Sequence, residues 1–563
     1  MKKPAATSRS THGRTVTGGM AIVDALIVNG VDSVFGLPGA QMYPLFDALQ
    51  QRSEQIRTYG ARHEQTCGYM AFGYARSTGR PGVFAVVPGP GVLNTAAALV
   101  TALGCNAPVL CITGQVPSAF LGRGRGHLHE IPDQLATLKT LTKWAARIES
   151  VADAPEIINE AFRQMLSGRP GPVAVEMAWD VMAAQGFVDE PSAAVIAPLR
   201  APSPVEIEAA AALLATAQRP MIMTGSGAQH ASADVLALAE VLDAPVAAFR
   251  GGRGIVAEDH ALGISSYAAH QLWRDTDVLV GIGTRLEMPY MRWAGMMSVI
   301  DKPQAPPHLI RIDIDPAEMR RLAPHAAIVA DAGLGARALL AAVKRLRTTG
   351  SMTAAKLRAP IAKAKAAART AIEVVQPQMA YLDVIRACLP RHGILVGELS
   401  QVGFTSYFGY PVFEPRTYIS EGYQGTLGFG FPTALGVKAA HPGTPVISIT
   451  GDGGFMFAAQ ELATAVQDNI ALVTIVFNNN AYGNVLRDQK MGFGNRIIGA
   501  VLKNPDFMQF AEAFDVDCHR VTSPETLRPV LTNALKAGKP VLIEVVVPQG
   551  SEVSPWPFIH PKP

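Results

Sequence analysis

The chain is predicted to be an α/β protein of three open parallel-sheet domains, each with helices on both faces. Two observations predict this. Short uninterrupted apolar runs bounded by Gly and Pro alternate with helix-forming stretches, as strands buried on both faces of a parallel sheet do. Two dips in composition then divide 563 residues, too many for one core, into pieces of domain size.

The first dip, 182–204, carries Ala, Ser and Pro191, Pro198, Pro202 and Pro204. The second, 348–378, is rich in Ala and Lys, holds a helical run near 352–369 and closes with Pro377. They predict a disordered tail over 1–14, domains over 15–185, 200–348 and 375–550, and a C-terminal tail over 551–563. The expected strands of the first domain include 83–87 and 109–113. Those of the second include 220–223, 278–282 and 310–313, and those of the third 393–396, 446–449 and 541–545.

Hydrophobic content of 48% with 17% charged residues excludes a disordered chain, and a net charge of +3 gives no reason to expect nucleic acid. No apolar run is long enough to span a bilayer, so no membrane partner is expected. Residues 1–14 are basic and Ser/Thr-rich without an apolar core, unlike a secretory signal. Cys67, Cys105, Cys111, Cys388 and Cys518 are scattered without metal-ligand spacing, which points to reduced thiols in a cytoplasmic protein.

The chemistry concentrates in the third domain. Ile447-Ser448-Ile449-Thr450 reads as a strand, followed by Gly451-Asp452-Gly453-Gly454, a helical stretch over 459–468, a second strand over 472–477, and Asn478-Asn479-Asn480. One strand–helix–strand unit brings Asp452 and Asn479 to neighbouring strand ends on the same sheet edge. An Asp, an Asn amide oxygen and a backbone carbonyl are hard ligands suited to Mg2+ on a diphosphate, which Gly453 and Gly454 let the backbone approach.

On this pattern, Gly-Asp-Gly followed some two dozen residues later by Asn-Asn, the chain resembles the thiamine diphosphate decarboxylase and carboligase superfamily over nearly all of 15–549. The resemblance implies a pyrimidine-binding first domain, a middle domain and a diphosphate-binding third domain. It makes Asp452, Asn479 and the Ala481 carbonyl metal ligands. It also makes Glu64, in Arg62-His63-Glu64-Gln65, the acid that hydrogen-bonds the cofactor's aminopyrimidine and drives its imino tautomer. Leu427, in Gly425-Thr426-Leu427-Gly428, would support the bent cofactor. Pro38, Gly39 and the catalytic candidate Gln41, with Asn94 beyond the turn Pro88-Gly89-Pro90-Gly91, would lie near the pyrimidine, and Ser400 and Gln401 near the diphosphate. Because Glu64 and Asp452 meet across subunits in this superfamily, a homodimer or homotetramer is implied.

Within the superfamily, Ile112-Thr113-Gly114-Gln115-Val116-Pro117-Ser118 and Ile312-Asp313-Ile314-Asp315-Pro316-Ala317-Glu318 are similar to acetolactate synthase large subunits. Three departures stand out. Leu128-His129-Glu130 replaces Phe-Gln-Glu, making His129 a catalytic candidate. Arg285-Leu286-Glu287-Met288-Pro289 replaces Arg-Phe-Asp-Asp-Arg, and Arg487-Asp488 stands where an active-site Trp is expected. Arg123, Arg125, His127, His129 and Arg487 would suit an acidic or oxygen-rich substrate. Gly225-Ser226-Gly227-Ala228 is an incomplete dinucleotide turn, and the resemblance to acetolactate synthases makes FAD an additional candidate ligand there, with ADP or no ligand the alternatives that other relatives offer.

The expected activity is decarboxylation of a 2-oxo acid with ligation of the resulting enamine to a carbonyl acceptor, an aldehyde or a second oxo acid. The alternatives are a non-ligating decarboxylase or 2-hydroxyketone lyase, and, from another class, a non-catalytic structural or regulatory relative.

Overall fold

Three six-stranded sheets organise the described residues, and all of their strand pairings are parallel. The computed structural model describes residues 13–293, 306–346 and 354–562, the side chains of 354–357 excepted. They form two compact units, one of 13–75 and 79–197, the other of 76–78 and the described residues from 198 onward.

In the first unit the strands are β1 (Gly13–Thr17), β2 (Ser33–Gly36), β3 (Arg57–Gly60), β4 (Gly82–Val86), β5 (Val109–Gln115), β6 (Trp144–Ile148), β7 (Val173–Ala178) and β8 (Gln185–Asp189). The main sheet has the order β3-β2-β4-β5-β7-β6. Every residue of β4, β5 and β7 is buried, as their unbroken apolar runs require. β1 and β8 pair antiparallel as a separate ribbon. Gly13 and Arg14, expected in the tail, therefore begin a strand, and this fold runs past the expected boundary at 185. The rest of that tail, 1–12, lies outside the described residues.

The second unit holds two sheets. Strands β9 (Pro220–Thr224), β10 (Val246–Ala248), β11 (Gly263–Ile264), β12 (Val278–Ile282), β13 (His308–Asp313) and β14 (Ala326–Val329) take the order β11-β10-β9-β12-β13-β14. Strands β15 (Ile394–Gly397), β16 (Tyr418–Ile419), β17 (Val446–Gly451), β18 (Val473–Asn478), β19 (Asp517–Val521) and β20 (Val541–Val546) take β16-β15-β17-β18-β20-β19. Counted from their own first strands, the outer two sheets share one order, and the middle sheet has the dinucleotide-fold order 3-2-1-4-5-6. The helical run expected near 352–369 is the helix Ala354–Ile372, and Met352 lies outside the described residues. The stretch expected as a helix over 459–468 is a 3-10 turn, Ala459–Glu461, leading into the helix Leu462–Gln467.

The expected tail over 551–563 is folded through residue 562. Its helix Trp556–Ile559 seats Trp556 5.1 Å from the Phe404 ring, and Phe558 packs 4.9 Å from Tyr267 and 5.3 Å from Phe408. A four-residue helix among prolines has no readable period, so its large apolar side chains were the one available signal. Among the described residues no helix is long and apolar enough to cross a membrane.

Arg253 joins the two sheets of the second unit. It is 2% exposed, donates to the carbonyls of Ser406 (2.7 Å) and Tyr410, and pairs with Glu258 at 2.8 Å. Arg253→Ala would strand a buried carboxylate and two carbonyls. Its expected cost is about 3 kcal/mol, read as a lower urea midpoint with secondary structure retained.

Candidate active site

Strand order reverses between β2 and β4 in the first unit and between β15 and β17 in the second. The loops leaving the carboxyl ends of such strands diverge and open a crevice. The candidate residues from the sequence stand on or beside these loops.

In the first unit Glu64 opens the helix Glu64–Thr78, whose His63 side chain caps the Gln65 amide. Glu64 is half-buried, and its Oε2 accepts a hydrogen bond from Asn94 Nδ2 at 2.9 Å. A Cβ placed on Gly91 would stand 3.5 Å from Glu64 Oε1, and one on Gly39 would lie 2.6 Å from Val87 Cγ1. Gly89 has φ +60°, and a Cβ there would meet the His129 carbonyl at 2.3 Å, so only glycine fits. Pro38 is exposed beside Gly39.

Gln41 and His129 touch. Gln41 is buried and donates from Nε2 to the Leu128 carbonyl at 2.7 Å, so its Oε1 accepts from His129 Nδ1 at 2.7 Å. That pairing places the imidazole proton on Nδ1 and the lone pair on Nε2. Burial pushes His129 below its ordinary pKa, opposed in part by the nearby Glu64 carboxylate. Burial thus favours the neutral ring.

Sequence reasoning missed Gln134. Its Oε1 accepts from the Gly89 amide at 2.7 Å, and its Nε2 donates to the Gly114 carbonyl (3.0 Å) and Glu176 Oε2 (2.8 Å). Glu176 is fully buried and ion-paired with Arg147 at 2.6 Å. The loop that carries His129 winds around Glu130, which accepts from the amides of Gly124 and His127, both at 3.0 Å. Arg123 and Arg125 stand exposed on this loop, and the His127 ring packs on Phe120 at 5.1 Å.

In the second unit, Asp452 is 2% exposed at the end of β17, and burial raises its pKa. Its Oδ2 accepts from Asn504 Nδ2 at 2.6 Å, and the Ala481 amide also donates to this carboxylate. The same amide donates to Asn479 Oδ1 at 3.0 Å. Asp452, Asn479 and Ala481 are thus assembled in one place, with oxygens that could hold a hard divalent cation. Asn504 also reaches Asn478 Oδ1 (3.1 Å) and Asn480 Oδ1 (3.2 Å), so one amide ties the loop after β18 to Asp452. Asn479 Nδ2 donates to Glu552 Oε2 at 2.6 Å, and burial beside Asp452 pushes the Glu552 carboxyl up to about 7. Neither Asn504 nor Glu552 carried a sequence signal.

Ser400 caps the helix Gln401–Gly409 by accepting from the Gly403 amide at 3.0 Å. Buried Gln401 accepts from Arg487 at 3.2 Å. Leu427 is half-buried between Gly425 and Gly428, at φ +61° and +82°, and is presented by its turn rather than sunk in the core. Beneath that turn lies Glu398, 1% exposed and pushed by burial up to about 7. Its carboxyl accepts from the Gly428 amide and the Thr450 hydroxyl, both at 2.5 Å, and from the Gly430 amide. A Cβ on Gly454 would collide with it at 2.5 Å. The chemistry of this donor set and its glycine clearances fit a diphosphate with its cation.

In the middle sheet, Gly225 to Ala228 follows β9 and packs on Gly283 after β12, with Gly227 N donating to Gly283 O at 3.1 Å. Arg250, paired with Glu287 at 3.2 Å, stands beyond β10 where such a turn expects an acid.

Two such crevices, one bearing a lone acid and the other a hard-oxygen set, define an α/β enzyme that binds an organic diphosphate cofactor. Comparison with known families narrows the class. Models of the thiamine pyrophosphate enzymes match the chain at 16–137 (N-terminal TPP binding domain), 207–339 (central domain) and 399–545 (C-terminal TPP binding domain). The chain belongs to the thiamine pyrophosphate enzymes, and thiamine diphosphate is its cofactor. A probable 2-ketoarginine decarboxylase of Pseudomonas aeruginosa is 35% identical, with 89% of each chain covered. A probable acetolactate synthase large subunit of Methanocaldococcus jannaschii is 33% identical, covering 94% of this chain and 92% of its own. Acetolactate synthase isozyme 1 large subunit of Escherichia coli is 30% identical, covering 99% and 98%.

Glu398 generates a pH test. Because its folded pKa is raised, the native state holds this proton more tightly than the unfolded chain. Its contribution is therefore lost as pH climbs from the ordinary carboxylate range through about 7. Glu398→Gln should melt higher relative to wild type at pH 8 than at pH 5. The expected difference is on the order of 3 kcal/mol, measured on cofactor-free protein.

Proposed function

We propose that this enzyme uses thiamine diphosphate and Mg2+ to decarboxylate a 2-oxo acid and to join the product to a carbonyl acceptor. The assembly of Asp452, Asn479 and Ala481 around one shared amide carries the reading. These residues would hold the cation on the diphosphate, with Gly453 and Gly454 admitting the phosphate oxygens and Leu427 supporting the cofactor. Bound thiamine diphosphate supplies a nucleophilic carbon and an electron sink for the pair left by CO2. Glu64 would hydrogen-bond the aminopyrimidine and exchange a proton with it, and Asn94 holds Glu64 Oε2 in place. The resemblance, in which the corresponding acid and metal ligands come from two copies, extends the proposal to a homodimer or homotetramer.

A second reading, decarboxylation with release of an aldehyde, is favoured by His129. Its Gln41-set tautomer leaves an Nε2 lone pair that can take up a proton from water and then deliver it to a carbon centre. The similarity to a probable 2-ketoarginine decarboxylase supports this reading, and the acetolactate synthase relatives support the first. FAD is a further ligand that the middle sheet's order admits at the β9–β12 crevice, and yellow colour in the purified protein would reveal it.

Incubating protein reconstituted with thiamine diphosphate and Mg2+ with a panel of 2-oxo acids, with and without an acceptor aldehyde, separates the readings. CO2 release accompanied by a coupled hydroxyketone supports ligation, whereas free aldehyde despite acceptor supports release. No CO2 from any oxo acid would overturn both. Glu64→Gln is expected to bind cofactor and to lose at least about 100-fold in turnover; near wild-type turnover would remove its role. His129→Gln is expected to slow aldehyde release more than ligation.

A further inference from the structure

We infer that Glu552 is a positioning residue for Asn479, and that the C-terminal segment carrying it sets the site's affinity for its divalent cation. The inference rests on the proposed role of Asn479 as a metal ligand.

An Asn side chain can turn either its oxygen or its nitrogen toward a cation, and only the oxygen ligates. A carboxylate accepts and does not donate. Glu552 Oε2, 2.6 Å from Asn479 Nδ2, therefore draws the nitrogen to itself. It leaves Oδ1 on the side of the Ala481 amide, which also serves Asp452. The Glu552 carboxyl lies within electrostatic reach of Asp452, so in its ionised form it adds negative charge to the same site.

Its position is imposed from both directions along the chain. Before it, Val547 N donates to Asn478 O at 2.9 Å and Gln549 Nε2 to Asn480 O at 3.3 Å. After it, Val553 N donates to Gln376 O at 3.0 Å, Gln378 Nε2 to Val553 O at 2.7 Å, and Trp556 Nε1 to Asn484 Oδ1 at 2.5 Å. The strap is thus fastened to the loop that bears the ligand and to the helix beyond it. These anchors fix the backbone at Glu552 beside Asn479.

The test uses the full-length protein stripped of cofactor. Mn2+ binding in the presence of thiamine diphosphate is followed by the loss of the free-ion paramagnetic resonance signal. Mg2+-dependent thiamine diphosphate binding is followed by calorimetry. Glu552→Gln keeps an acceptor for Asn479 and removes the charge; Glu552→Ala removes both. The half-saturating cation concentration is expected to rise about 10-fold in the first and about 100-fold in the second. Thiamine diphosphate affinity should return at saturating cation, and the melting temperature of the cofactor-free protein should hold. An unchanged half-saturation in either folded variant overturns the inference, as does an equal loss in both, because orientation would then contribute nothing. Should the Ala variant not fold, the Gln variant alone decides. Failure of wild-type protein to bind thiamine diphosphate with cation would overturn the proposed function itself.

Discussion

Glycine turns at the carboxyl ends of two parallel sheets must stay open for a ligand, yet stand still without side chains of their own. Buried polar groups meet that constraint. Glu398 collects the Gly428 and Gly430 amides and the Thr450 hydroxyl, so the turn bearing Leu427 and the strand leading to Asp452 share one carboxyl. Gln134 does the same in the first unit, where Gly89, Gly114 and Glu176 meet on one amide. A hydrogen bond in such surroundings is costly to lose, because the stranded partner has no water to turn to. Rigidity at both crevices thus comes from below the turns, and their upper faces remain available for a ligand.

Different chemistry occupies the two crevices. In the first unit an acid, Glu64, stands near an imidazole whose tautomer Gln41 dictates, which suits proton movement. In the second, Asp452, Asn479 and Ala481 form a hard-oxygen set linked by one amide and steadied by Asn504 and Glu552.

Legibility followed sequence distance. Asp452 and Asn479 could be paired because one strand–helix–strand unit separates them, and the strands they follow, β17 and β18, are neighbours in one sheet. Glu64, Asn94, Gln41 and His129 were found one at a time, and the structure joins them as two pairs. Ser400 is engaged as a helix cap, the ordinary use of a Ser at that position. Gln134, Glu398, Asn504 and Glu552 went unread because each is a lone polar residue whose partners come from distant segments. Among them Glu398 offered a faint signal, an acid directly after an apolar strand.

By itself the sequence determined the layered parallel architecture, since strands buried on both faces can only be written as apolar runs, and it determined the identity of the groups at their ends. The tertiary structure alone decided strand order, and with it which ends adjoin. It also decided that residues 547–562 fold back as a strap carrying Glu552, because a short Pro-rich segment has no period and acquires its place from the hydrogen bonds of Val553 and Trp556 and from the rings of Phe404, Phe408 and Tyr267 against which it packs.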